Sequence, residues 1–123
     1  KEAKNVPNLV VTAGKNYIAS RMVGTSSNVM SHMAIGSASD TPAAGETTLV
    51  TESYRTALST FTSSTNTVTA TATFAAGNGT GEVKEAGIFN ASSSGTMLCR
   101  TTFPVVNKAA GDSIAITWTI TVS

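Results

Sequence analysis

This 123-residue sequence holds one histidine and one cysteine, which limits both nucleophilic and zinc chemistry. A serine triad needs a histidine base held between a nucleophile and a carboxylate. His32 lies in Met30-Ser31-His32-Met33, which reads as the start of a strand, and the sequence has no Gly-x-Ser-x-Gly elbow. One Cys and one His do not make a zinc site. Asp40 and Asp112 stand alone in turn-forming stretches, where aspartate bonds its own backbone, and no calcium-loop spacing surrounds them. No catalytic, cofactor or metal site is expected from these residues.

Glu82 and Glu85 are the nearest carboxylate pair. In a strand they point to opposite faces and make a poor acid–base dyad. Glu85 is set among apolar residues in Lys84-Glu85-Ala86-Gly87-Ile88-Phe89-Asn90. A buried carboxylate needs a cation or several donors, and Arg55 is the expected partner in a structural ion pair. The alternative is a solvated carboxylate at a sheet rim. The run Gly77-Asn78-Gly79-Thr80-Gly81 lacks the lysine and following helix of a phosphate loop and reads as a turn. Trp118, Tyr54 and Tyr17 could together form a sugar-binding platform, but Trp118 belongs to the regular apolar face of its strand, so core is the favoured reading.

The elements that would carry these residues are mostly strands. In Val68-Thr69-Ala70-Thr71-Ala72-Thr73-Phe74 and again from Ile114 to Val122, apolar and threonine residues alternate. Period two puts Ile114, Ile116, Trp118, Ile120 and Val122 on one face and threonines on the other. Further strands are expected over Val29–Gly36, from about Tyr54, over Glu82–Phe89, and over Thr96–Phe103, where Pro104 should end the strand. One short helix is expected from Ala13 to Val23. Thr12 caps it, Ala13, Tyr17, Ile18 and Met22 share a face, and Gly24 stops it. Residues 1–8 form an extended arm, with Lys1, Glu2, Lys4, Asn5 and Pro7 as candidate assembly contacts. Residues 9–123 form a single domain. The expected fold is mainly β, an antiparallel β-sandwich or barrel with one short N-terminal α-helix, anchored in its core by Trp118, Phe74, Phe89 and Ile116.

Bulk properties narrow the partners. Charged residues make up 12% of the chain and the net charge is +1. That charge content is about half the usual share. Eight scattered Lys and Arg residues do not build a basic face, so neither nucleic acid nor a membrane is an expected partner. The single cysteine excludes an intrachain disulfide and fits folding in a reducing cytoplasm. Cys99, in Met97-Leu98-Cys99, reads as a small buried hydrophobe. A surface rich in Thr, Ser and Ala is less costly to bury against another protein than one rich in Lys and Glu.

Several phrases occur together in a telling order. They are His32-Met33-Ala34-Ile35-Gly36, Thr41-Pro42-Ala43-Ala44, Leu49-Val50-Thr51-Glu52 and Tyr54-Arg55. Then follow Lys84 to Asn90, Gly95-Thr96-Met97-Leu98-Cys99-Arg100-Thr101, Val106-Asn107-Lys108 and Ile116-Thr117-Trp118-Thr119-Ile120. The ordered set resembles short, tail-fibre-like accessory structural proteins of tailed bacteriophages. More loosely, it is similar to the N-terminal attachment domains of phage tail-collar fibres. The resemblance implies a virion component without catalysis or cofactor, made and folded in the host bacterial cytoplasm. Since the sequence ends just after its last expected strand, a free-standing domain is expected rather than the base of a fibre shaft. That points to a capsid decoration, or cement, protein. It would be a homo-oligomer, expected to be a trimer, bound to the major capsid protein or other virion proteins. The alternatives are a tail or collar fibre component and a carbohydrate-binding module.

Overall fold

The structure, a computed structural model, describes residues 8–25 and 28–122. The order of elements is β1 (Leu9–Val10), α1 (Thr12–Met22), β2 (His32–Gly36), β3 (Glu52–Ala57), β4 (Thr60–Ser64), β5 (Thr67–Phe74), β6 (Gly81–Phe89), β7 (Met97–Lys108) and β8 (Ile114–Thr121). They form two antiparallel sheets, one of five strands in the order β1-β7-β6-β2-β3 and one of three in the order β4-β5-β8. The fold is mainly β, a sandwich of two sheets with one short helix.

The two sheets differ because their sequences differ. β5 and β8 alternate, and their apolar residues Ala70, Ala72, Phe74 and Trp118 are buried in the main core while Ile114, Ile116 and Ile120 pack against it. Met33, Ile35, Val83, Ala86, Ile88 and Cys99 meet them from the five-stranded sheet. A sheet covered on one side needs only alternate apolar residues, whereas one covered on both reads as a continuous apolar run. β2, the end of β6 and the start of β7 are buried nearly without interruption. Their second face holds a smaller cluster of Val11, Ala34, Leu49, Phe89 and Met97, to which Ala13 of α1 adds. Phe74, Phe89 and Trp118 are thus buried, the first two completely, and Ile116 is only half-buried.

The helix lies where its sequence places it, but its details differ. Thr12 is the first helical residue and Val11 the N-cap, with no side-chain cap. The N–H of Thr12 donates instead to the carbonyl of Ala44 at 2.8 Å, so the loop before β3 does the capping. The buried position is Gly14, with Ala13, Tyr17 and Ser20 half-buried, while Ile18 and Met22 are exposed. A side chain at Gly14 would strike the backbone of Leu98. The contact with β7 therefore needs glycine, and it turns the helix away from its expected apolar face.

Two strand boundaries are corrected. β2 begins at His32 rather than Val29. Pro104 does not end β7, which runs on to Lys108. Val83 of β6 pairs with Val106 and Glu85 with Thr102, so Phe103, Pro104 and Val105 sit in a bulge opposite the single residue Lys84. A proline is tolerated there because the bulge interrupts the ladder that would call on its missing N–H. The bulge also shifts the phase of β6, so that Val83, Ala86 and Ile88 all reach the main core.

Candidate functional site

Glu85 lies at the centre of a buried polar cluster. It is fully buried on β6. Its Oε2 accepts the N–H of Ala38 at 3.2 Å and of Thr51 at 2.8 Å, and its Oε1 accepts the N–H of Val50 at 3.1 Å. Arg100 Nε donates to Oε1 at 2.9 Å. Arg100 is also fully buried, and its Nη1 reaches the carbonyl of Asp40 at 3.2 Å and both oxygens of Glu46 at 3.1 and 3.2 Å. Its Nη2 has no partner among the described residues. Together these groups pin both ends of the segment from residue 37 to 51 onto the sheet. Gly36 makes room for the arrangement, since a Cβ there would strike Thr51 and the Glu85 carboxylate. The expected burial of Glu85 is therefore found, but its expected partner is not.

Arg55 and Glu85 do not pair. Arg55 binds Glu52 with two bonds of 2.8 Å, donates from Nη1 to the carbonyls of Ala91 (3.0 Å) and Ser94 (2.9 Å), and lies 3.7 Å over the Phe89 ring. The reason is topological. β2 separates Arg55, on β3, from β6, whereas β7, which carries Arg100, lies directly beside β6. Register sets Arg55 level with Gly87 through Ala34, and its guanidinium leans along β6 to Phe89, away from Glu85, while Arg100 is paired directly with Gly87 from the adjoining strand. Arg55 instead clasps the turn between β6 and β7.

The other singled-out residues are dispersed. Ser31 Oγ and His32 Nδ1 lie 2.8 Å apart, and no carboxylate among the described residues bonds the ring. Glu82 pairs at the surface with Lys84 at 3.2 Å, away from the buried Glu85. Asp112 accepts the N–H of Ala109 at 3.0 Å, a turn bonded to its own backbone. Lys108, which the sequence did not single out, is 2% exposed and donates to the carbonyls of Ala75 (2.8 Å) and Asp112 (2.6 Å). Burial raises the Cys99 thiol from its usual 9.0 to about 12, against a smaller opposing effect of a backbone bond at Ile88. The Trp118 indole is inside the core, its Nε1 unpartnered, while Tyr54 stacks edge-on against Phe74 and the Tyr17 hydroxyl donates to the Asn28 carbonyl at 3.0 Å. Among the described residues no three His, Cys, Asp or Glu come together, and no helix is long and apolar enough to cross a membrane. Lys1, Glu2, Lys4, Asn5 and Pro7 lie outside the described residues.

The outward face of the three-stranded sheet has a different chemistry. Register places Thr60 beside Thr71 and Thr117, Thr62 beside Thr69 and Thr119, and Ser64 beside Thr67 and Thr121. Thr60, Thr62, Ser64, Thr117, Thr119 and Thr121 are exposed, and the β5 threonines between them are half-buried. None of the three strands carries a charged residue. The result is a grid of hydroxyls and methyls held by backbone pairing. It cannot ionise, so it can be covered by another protein without desolvating an ion.

No family model, curated protein or solved structure matches the chain. The grid and the buried clamp are therefore interpreted from their own geometry.

Proposed function

We propose that this chain is a virion structural protein of a tailed bacteriophage, a capsid decoration protein that binds as a homo-oligomer between capsid subunits. The observation that carries the reading is the uncharged threonine face, backed by a core whose polar groups are spent on holding loops and turns. The resemblance of the ordered phrases to phage accessory proteins motivates the same reading. Such a protein works by burying surface. A single standard interface of about 1,600 Å² gives widely varying affinity. Repetition over a shell makes weak contacts hold, because each further contact forms at high effective concentration.

The test is the number of copies per particle, measured by quantitative mass spectrometry of purified virions against the major capsid protein. A ratio near one, or one to a few, supports a head decoration protein. A handful of copies places the protein in the tail or collar instead. Absence from the particle overturns the virion reading.

A further inference from the structure

The two sheets expose four edges among the described residues, β1 and β3 on one sheet and β4 and β8 on the other. An open edge offers unpaired N–H and C=O groups to any strand that meets it, and proteins block edges by shortness, charge, proline or bulges. β1 is two residues long. β3 carries the Glu52–Arg55 ion pair. β4 has five residues and exposes its inner-face Phe61 and Ser63. β8 has none of these protections. Its eight residues, Ile-Ala-Ile-Thr-Trp-Thr-Ile-Thr, include no charge, no proline and no glycine, and they pair with β5 without a register break. Its inner face is also incompletely covered, since Ile114, Ile116 and Ile120 are half-buried and Val122 just beyond is 66% exposed.

We propose that the outer edge of β8 pairs antiparallel with β8 of a second copy of this chain, about a twofold axis at Thr117. The occupant follows from the sequence of the edge. Directly opposed residues in an antiparallel pair share a face, so a register in which position numbers sum to an even value keeps apolar against apolar. The register centred on Thr117 sets Ile114 against Ile120, Ile116 against Trp118, Ala115 against Thr119, and Thr117 against its own copy. Every apolar residue on the inner face of β8 meets an apolar residue, the outer-face residues meet only Ala, Thr or Ser, and no charge is buried. β4 has no comparable self-match, because its inner face offers only Phe61 and Ser63. The pairing joins the two small sheets into one of six strands and doubles the width of the threonine face. It goes beyond the virion reading and does not depend on it, and it joins copies two at a time whatever larger grouping they adopt.

The test is disulfide trapping in the full chain. Opposed residues in an antiparallel pair have Cα atoms about 4.5–5.5 Å apart, within the range a disulfide spans. On mild oxidation Thr117→Cys should give a covalent dimer on a non-reducing gel. Thr69→Cys on the central strand and Thr62→Cys on the rival edge should stay monomeric, and the buried Cys99 supplies no background. Thr117→Lys puts two like charges face to face at an exposed position. It should keep the circular dichroism of the parent, and its melting temperature at concentrations too dilute for the dimer, while losing the dimer in a sedimentation dilution series. Trapping of Thr117→Cys no faster than of Thr69→Cys would overturn the proposal, as would an assembly whose size Thr117→Lys leaves unchanged. Trapping that appears only after deletion of residues 1–7 would assign the edge to the arm and likewise overturn it.

Discussion

At the scale of single residues, Glu85 and Arg100 form a buried ion pair whose members are not equivalent. Breaking a buried pair from one side leaves an uncompensated charge and costs about 3–5 kcal/mol. Arg100→Met leaves Glu85 its three backbone donors, at Ala38, Val50 and Thr51. Glu85→Leu strands those three N–H groups and the Nε of Arg100 at once, although Glu46 and the Asp40 carbonyl still hold its Nη1. It should therefore be the more damaging substitution, with each orphaned donor adding about 1–3 kcal/mol. Urea denaturation of both variants checks the order, and equal midpoints would show that the backbone bonds contribute nothing. The sequence made Glu85 conspicuous by its apolar neighbours. Arg100 was hidden because its partner depends on which strand lies beside β6, and local pattern does not carry that information.

Cys99 gives a pH dependence at the same scale. Its folded value, about 12, lies above its unfolded value of 9.0. The unfolded chain loses the thiol proton first, so above about pH 9 the native state binds more protons and stability falls as pH rises. The slope from this group approaches about 1.4 kcal/mol per pH unit and fades near the folded value. Cys99→Ala should flatten that part of the alkaline stability curve, at the expense of a small cavity. A curve of unchanged slope would mean that other groups dominate there.

At the scale of elements, α1 separates propensity from packing. In a free helix Gly14→Ala would gain about 1 kcal/mol. Here the added methyl strikes the backbone of Leu98, which has no side-chain freedom with which to yield. The substitution should lower the melting temperature, because the helix must lift off β7 to accept it. A rise would mean that α1 is loosely held. The same competition explains what the sequence did and did not disclose about the elements. The alternation of β5 and β8 was legible because one face is core and the other is not. The cap of α1 was not, because Thr12 is the first helical residue and its own N–H is taken by the carbonyl of Ala44, thirty-two residues away. Pro104 reads as a stop because local rules take no account of a bulge, and the bulge arises only when β7 is laid against β6.

At the scale of the whole molecule, charge is unevenly distributed. The buried arginines and lysine are spent on loops and turns, Arg100 on the segment from residue 37 to 51, Arg55 on the turn after β6, and Lys108 on the turns at Ala75 and Asp112. The three-stranded sheet has no charge at all. Contacts made through that sheet should be almost independent of ionic strength, because no ion pair forms there to be screened, whereas charged contacts weaken as the Debye length falls from about 10 Å at 0.1 M salt to about 3 Å at 1 M. Binding to purified empty heads, followed over that range, should keep its affinity within about twofold, a change of about 0.4 kcal/mol. Thr119→Lys, exposed on the grid, should weaken binding by desolvating an ammonium against the partner and should make what remains depend on salt. A steep loss of the parent's binding with salt would mean that the contacts come from charged residues elsewhere in the chain, and the threonine face would then have no part in holding the particle together.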